Sequence, residues 1–215
     1  MKCRNRLLSS RIEVVAVMIF ALAGHVSAYA ECRNEAGAQC QGARFDHVDW
    51  RNANLDGSDF RDAHLENANF AGASLKGADF RGANLQLARL ERADLTGANL
   101  DGVDLRRANL ENAILTKARF AKARMAKSDL QNADLSHAVL AGADLTRADL
   151  VSSDLQNADL QGARLDGASM NHANLKEADL TGASVSRTRL TGARLANAIW
   201  IDGRVCKSPS VGDCR

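Results

Sequence analysis

From Phe45 to Trp200 a large apolar residue stands at every multiple of five, with no insertion or slip. This makes 32 consecutive units of the form A-(N/D)-L-x-x, plain in Ala53-Asn54-Leu55-Asp56-Gly57 and Ala93-Asp94-Leu95-Thr96-Gly97. A fixed short period decides the architecture before local propensity is consulted. Leu and Ala favour helix. Yet five residues at ~100° each turn successive leucines by ~140°, which leaves no single apolar stripe. A straight strand fails as well, because side chains alternate with period two and each leucine would land on the face opposite the last.

The pattern works if the chain bends after every unit. The residue two before each large one is Ala in 26 of the 32 units, the exceptions being Val48, Ser58, Val103, Ser128, Ser153 and Thr188. Residues two apart share a face of an extended piece, so the small and the large residue both point inward. The residue between them points out. It is usually Asn or Asp, side chains that bond nearby backbone. The two residues after the centre form the turn. Twelve of the 16 glycines occupy its second position, and Asn occupies it in six more units. That composition fits a type II turn, which needs a positive φ there.

This array resembles the pentapeptide-repeat family, over about three quarters of the chain. The resemblance implies an all-β fold, a right-handed quadrilateral parallel β-helix with four units per coil. Thirty-two units then make about eight coils, a rod of roughly 38 Å at the ~4.8 Å strand spacing. Two registers modulo twenty agree with a coil of that length: Gly42, Gly82, Gly102, Gly142, Gly162 and Gly182, and Phe60, Phe80, Phe120 and Trp200.

The segments outside the array read as delivery and caps. Met1–Ala30 has the form of a secretory signal peptide. Lys2, Arg4, Arg6 and Arg11 give a basic start, Ile12–Ala23 is apolar apart from Glu13, and Ala28-Tyr29-Ala30 is a cleavage site before Glu31. A membrane anchor is the rival, but about 12 apolar residues are too few to span a bilayer. Cleavage removes Cys3 and leaves Cys32 and Cys40 before the array, Cys206 and Cys214 after it. Four cysteines allow three pairings. On a rod the two ends lie too far apart for a bond that needs Cα atoms within ~7 Å. The expectation is therefore Cys32–Cys40 in an N-terminal cap, 31–40, and Cys206–Cys214 in a C-terminal cap, 203–215, around a β-helix of 41–202. Two cysteines with no His beside them make a poor zinc site. Trp50 and Trp200, in the first and last coils, are expected to plug the ends.

Catalytic patterns do not emerge. His47, His64, His137 and His172 show no metal-ligand spacing, the glycines mark turns and form no phosphate loop, and no insertion breaks the rod to build a cleft. No cofactor is expected. The expected function is a non-catalytic, exported rod, a structural or binding module for a protein or an anionic polymer of the cell envelope. The alternative is topoisomerase protection, since some pentapeptide-repeat proteins resemble DNA in shape and charge and occupy its site on gyrase. Against that, Gln41–Trp200 carries 20 Lys and Arg and 21 Asp and Glu, a net of −1, where a mimic of duplex DNA should be strongly acidic.

Charge is banded along the chain. Arg106, Arg107, Lys117, Arg119, Lys122, Arg124 and Lys127 face only Asp104 and Glu111 within 104–127, whereas 128–160 holds six Asp and Arg147. All these cations fall in outward slots, and Arg107, Lys127 and Arg147 share one register modulo twenty. This basic belt is the candidate partner-binding surface; the plainer reading is a solvated face.

Overall fold

The computed structural model describes residues 32–214. The expected leader at Met1–Ala30 lies outside the described residues. Within them the five-residue unit behaves as a single part used repeatedly. The carbonyl of each centre accepts from the N–H three residues on, as Trp50 accepts from Ala53 at 3.2 Å. All 32 second turn positions from Gly42 to Asn197 have positive φ, between 56° and 72°. Type II geometry is therefore uniform. Gly and Asn do not account for it alone: 14 of these corners hold other residues, among them Leu87, Lys117, Lys122, Ser152 and Glu177.

Each outward residue pairs in parallel with the residue twenty further on, in an unbroken series from Gln39–Asp59 to Asp179–Ile199. Twenty residues make one coil of four faces. Face 1 carries Arg44 to Ser184, face 2 Asp49 to Arg189, face 3 Asn54 to Arg194, and face 4 Asp59 to Ile199. Corner 1–2 then holds the turns 46–47 to 186–187. The fold is the right-handed quadrilateral β-helix that the resemblance implies. Every centre from Leu55 to Leu180 is at most 1% exposed, and small Ala lines the corners between them. Burying one such centre stabilises by ~1.5–3 kcal/mol.

The repeat starts one unit before Gln41. Ala38 and Cys40 fill the small and centre slots, buried like the rest, and Gln39 pairs with Asp59. The N-terminal end is filled by aromatic rings. Trp50 packs 5.0 Å from Phe45, 5.7 Å from Phe60 and 5.6 Å from Phe70, and Phe60 stacks on Phe80 at 4.9 Å. Trp200 at the other end is only half-buried. Cys32 is bonded to Cys40 and Cys206 to Cys214, each with Cα atoms 4.8 Å apart. Beyond Trp200 the chain reverses and pairs antiparallel with the last coil, Val205 with Ile199 and Val211 with Arg194. Among the described residues the cap bonds to faces 3 and 4 alone, with Gly212 reaching corner 2–3 beside the Leu190 carbonyl.

Candidate functional site: a basic corner

Four of the five N–H groups in a unit find backbone partners: three in neighbouring coils and one across the turn. The fifth, on the first turn residue, does not. It is met by the outward Asn or Asp two residues before it. All 18 Asn and Asp in that slot accept such a bond, at 2.8–3.4 Å. Most of the abundant Asp is thus committed to holding turns, which leaves the cations as the surface's free chemistry.

The belt residues do not form one patch. Lys117 sits at corner 3–4, Arg119 on face 4, Lys122 at corner 4–1, Arg124 on face 1 and Lys127 at corner 1–2. With Arg106 and Arg107 they wrap once around the rod, since Arg107 and Lys127 stand twenty residues, one coil, apart. Three belt arginines are neutralised locally. Arg106 meets Asp104 at 2.7 Å, Arg124 meets the same carboxylate at 3.1 Å, and Arg119 meets Asp101 at 2.9 Å. Asp104 is buried between its two partners. The bond to Asp104 raises the Arg106 guanidinium above its ordinary value, against a smaller lowering by desolvation.

What the structure does bring together is a column at corner 1–2. Arg107, Lys127 and Arg147 occupy successive coils, each exposed and each at positive φ. None of the three has an ion pair among the described residues. Arg187 belongs to the same column, two coils above Arg147. Sequence reasoning missed it, although 187 and 147 share a register modulo twenty. Gly167 stands between them, and the Cγ of Arg147 lies 3.4 Å from where a Gly167 Cβ would be. The Arg147 stem therefore extends over the glycine toward Arg187. Left-handed backbone costs a non-glycine residue roughly 1–2 kcal/mol, and glycine would avoid it.

A shallow concavity of about 370 Å³ lies at corner 2–3, where Ala71-Gly72 dips between Arg51 and Arg92. Its two carboxylates have partners: Glu91 accepts from Arg89 at 3.1 Å and from Asn109 at 3.2 Å, and Glu111 from Asn112 at 3.1 Å. The Oε2 atom of Glu91 is buried without a partner. Among the described residues no group of three or more His, Cys, Asp or Glu could hold a metal ion, and no helix is long and apolar enough to cross a membrane.

No curated protein matches the chain. Among solved structures it is similar to HetL, a pentapeptide repeat protein involved in heterocyst differentiation regulation in the cyanobacterium Nostoc sp. strain PCC 7120. Identity is 31% over 80% of this chain and 87% of that one, with a TM-score of 0.43. QnrB1, a plasmid-mediated fluoroquinolone resistance protein, is 19% identical over 76% of this chain and 83% of its own, at a TM-score of 0.45. A pentapeptide repeat protein of the Arabidopsis thaliana thylakoid lumen is 22% identical over 84% and 86%, at 0.17. The family model for pentapeptide repeats matches in overlapping stretches that run from 36–72 to 158–197. With the match continuous over the whole array, the chain belongs to the pentapeptide-repeat family.

Proposed function

We propose that this protein is a non-catalytic, exported scaffold whose basic corner binds an anionic partner of the cell envelope, either an acidic protein surface or a polymer. The carrying observation is the column of Arg107, Lys127 and Arg147, one coil apart and without ion pairs among the described residues, at positions where glycine would cost less. Backbone strain held at a surface is a pointer to use. Like charges stacked at the strand spacing also repel modestly, which an anion lying along the corner would relieve. The signal-peptide form of Met1–Ala30 supports export.

The test has two parts. The protein isolated from its natural compartment should begin at Glu31; a chain still beginning at Met1 would remove the export half. The variant with Arg107, Lys127, Arg147 and Arg187 all changed to Ser should elute from an anionic matrix at clearly lower salt than the parent. A variant with Lys117, Arg119 and Lys122 changed to Ser should shift less. Equal retention of the parent and the corner variant, with the fold intact by circular dichroism, would overturn the binding half.

A further inference from the structure

The two ends of a solenoid must either be covered or remain open to another chain, and the upper end of this rod is covered on half its perimeter. On faces 3 and 4 the cap takes up the edge. Leu195 N–H donates to Ser210 O at 2.8 Å, Asn197 N–H to Cys206 O at 2.9 Å and Trp200 N–H to Arg204 O at 2.8 Å. On faces 1 and 2 nothing among the described residues does this. The N–H groups of Val185, Arg187 and Leu190 and the carbonyls of Ala183 and Thr188 have no backbone partner. One coil lower the equivalent groups are all bonded: Leu165, Gly167 and Met170 donate upward at 2.8 Å, and Ala163 and Ala168 accept at 2.9 and 3.0 Å. Side chains agree with the backbone, since Val185 and Leu190 are half-exposed while the centres below them are sealed.

A second coil cannot stack here, because the segment from Val205 to Val211 occupies the level above faces 3 and 4. The free space admits a short extended segment. Charge selects among such segments. No acidic residue lies between Asp179 and Asp202, while Arg187, Arg189 and Arg194 are exposed without an ion pair among the described residues. Face 1 already shows how an acid one coil away is received, with Arg164 on Asp144 at 3.5 Å.

We propose that residues 183–190 form a β-addition site for an extended acidic peptide. The peptide lies parallel to the last coil and bends once over corner 1–2. Its carbonyls accept from Val185, Arg187 and Leu190, and its amides donate to Ala183 and Thr188. Apolar residues five apart cover Val185 and Leu190, and its carboxylates face Arg187 and Arg189. Main-chain bonds would give affinity and the alternate side chains selectivity. The site does not rest on the basic corner, because its carriers are backbone groups and half-covered apolar side chains.

A blocked, fluorescein-labelled peptide with the sequence of residues 153–160 (SDLQNADL) is a suitable probe, having two acids, no base and the required spacing. It should bind saturably by anisotropy. Hydrogen exchange at the amides of Val185, Arg187 and Leu190 should slow in its presence. N-methylation of both Asp amides of the peptide leaves its charge intact and removes two ladder bonds; binding should weaken by about tenfold or more. Arg189→Glu in the protein should weaken it as well. No binding at millimolar peptide, or equal binding of the N-methylated peptide, or unchanged exchange at the three amides, would each overturn the proposal.

Discussion

At the scale of single residues, the chain satisfies one recurrent need in two ways. Where the outward slot holds Asn or Asp, that side chain takes the N–H of the first turn residue. Only five first turn positions hold Asp or Asn: Asp46, Asp56, Asp101, Asp166 and Asn171. In every one of these cases the outward residue of the coil above is of another type: His64, Ser74, Arg119, Ser184 and Arg189. The lower side chain then reaches up and accepts the orphaned N–H, at 3.2, 2.9, 2.8, 3.0 and 3.0 Å respectively. Asp101→Ala should therefore cost about 1–2 kcal/mol, the loss borne by the Ala121 N–H and the Arg119 guanidinium. Arg119→Asn, which restores a local acceptor, should recover most of the backbone part in that background. Chemical denaturation of the four proteins in the cycle checks it, and additivity of the two changes would refute the exchange. The left-handed corners give a second expectation. Lys122→Gly should raise the melting temperature, because it relieves strain of about 1 kcal/mol. Gly72→Ala should lower it, since the backbone there has a φ of +68° and the added Cβ would also meet the Oδ1 of Asn52.

At the scale of the element, the inward slots were fully legible in the sequence. Period five excludes helix and straight strand, and the centres from Leu55 to Leu180 are sealed as that argument requires. Leu115→Lys places an unpaired charge in the middle of the stack and should destabilise by several kcal/mol. Thermal melting and urea titration would both register it. The corners were only half legible. Gly and Asn advertise a positive φ, but at Leu87 or Glu177 the same backbone is imposed by neighbouring coils against the residue's own preference. Cap topology was not legible at all beyond its cysteines, since nothing local to Val205 or Val211 says which faces they cover. Closing the nine-residue loop of Cys206–Cys214 is worth ~2–3 kcal/mol on a chain-entropy model. Reduction should speed hydrogen exchange at the Leu195 and Asn197 amides, which the cap bonds, and leave Leu115 unchanged. Uniform acceleration along the rod would show the cap to be coupled to the whole.

At the scale of the whole molecule, the belt read along the sequence turned out to encircle the rod. Reading modulo twenty recovers the corner column and adds Arg187 to it; reading linearly cannot. Charge also sets the response to acid. The side-chain bonds of Arg51, Arg61 and Arg81 to Asp49, Asp59 and Asp79 hold these carboxyls below the ordinary carboxylate range, against a smaller upward push from burial. Their folded values lie below their unfolded ones, so the stabilisation is present above about pH 4. It is lost as the pH falls through the folded values. The melting temperature should be level from pH 8 to about 5 and fall below pH 4. A flat profile down to pH 2 would show these pairs to be inconsequential.

Because each coil bonds only to the residues twenty before and twenty after it, the array works like a combination dial with four stops. Removing residues 151–170 would shorten the rod by one coil and leave every column below and above in alignment. Removing only 131–135 would turn all that follows by a quarter. Arg147 would then stand over Lys122 instead of Lys127, and the open edge would face a different side. A single lost unit could leave composition, core and length nearly untouched and still scramble whatever is read along a corner. Slippage in such a gene would leave the surface columns unchanged only in steps of four units.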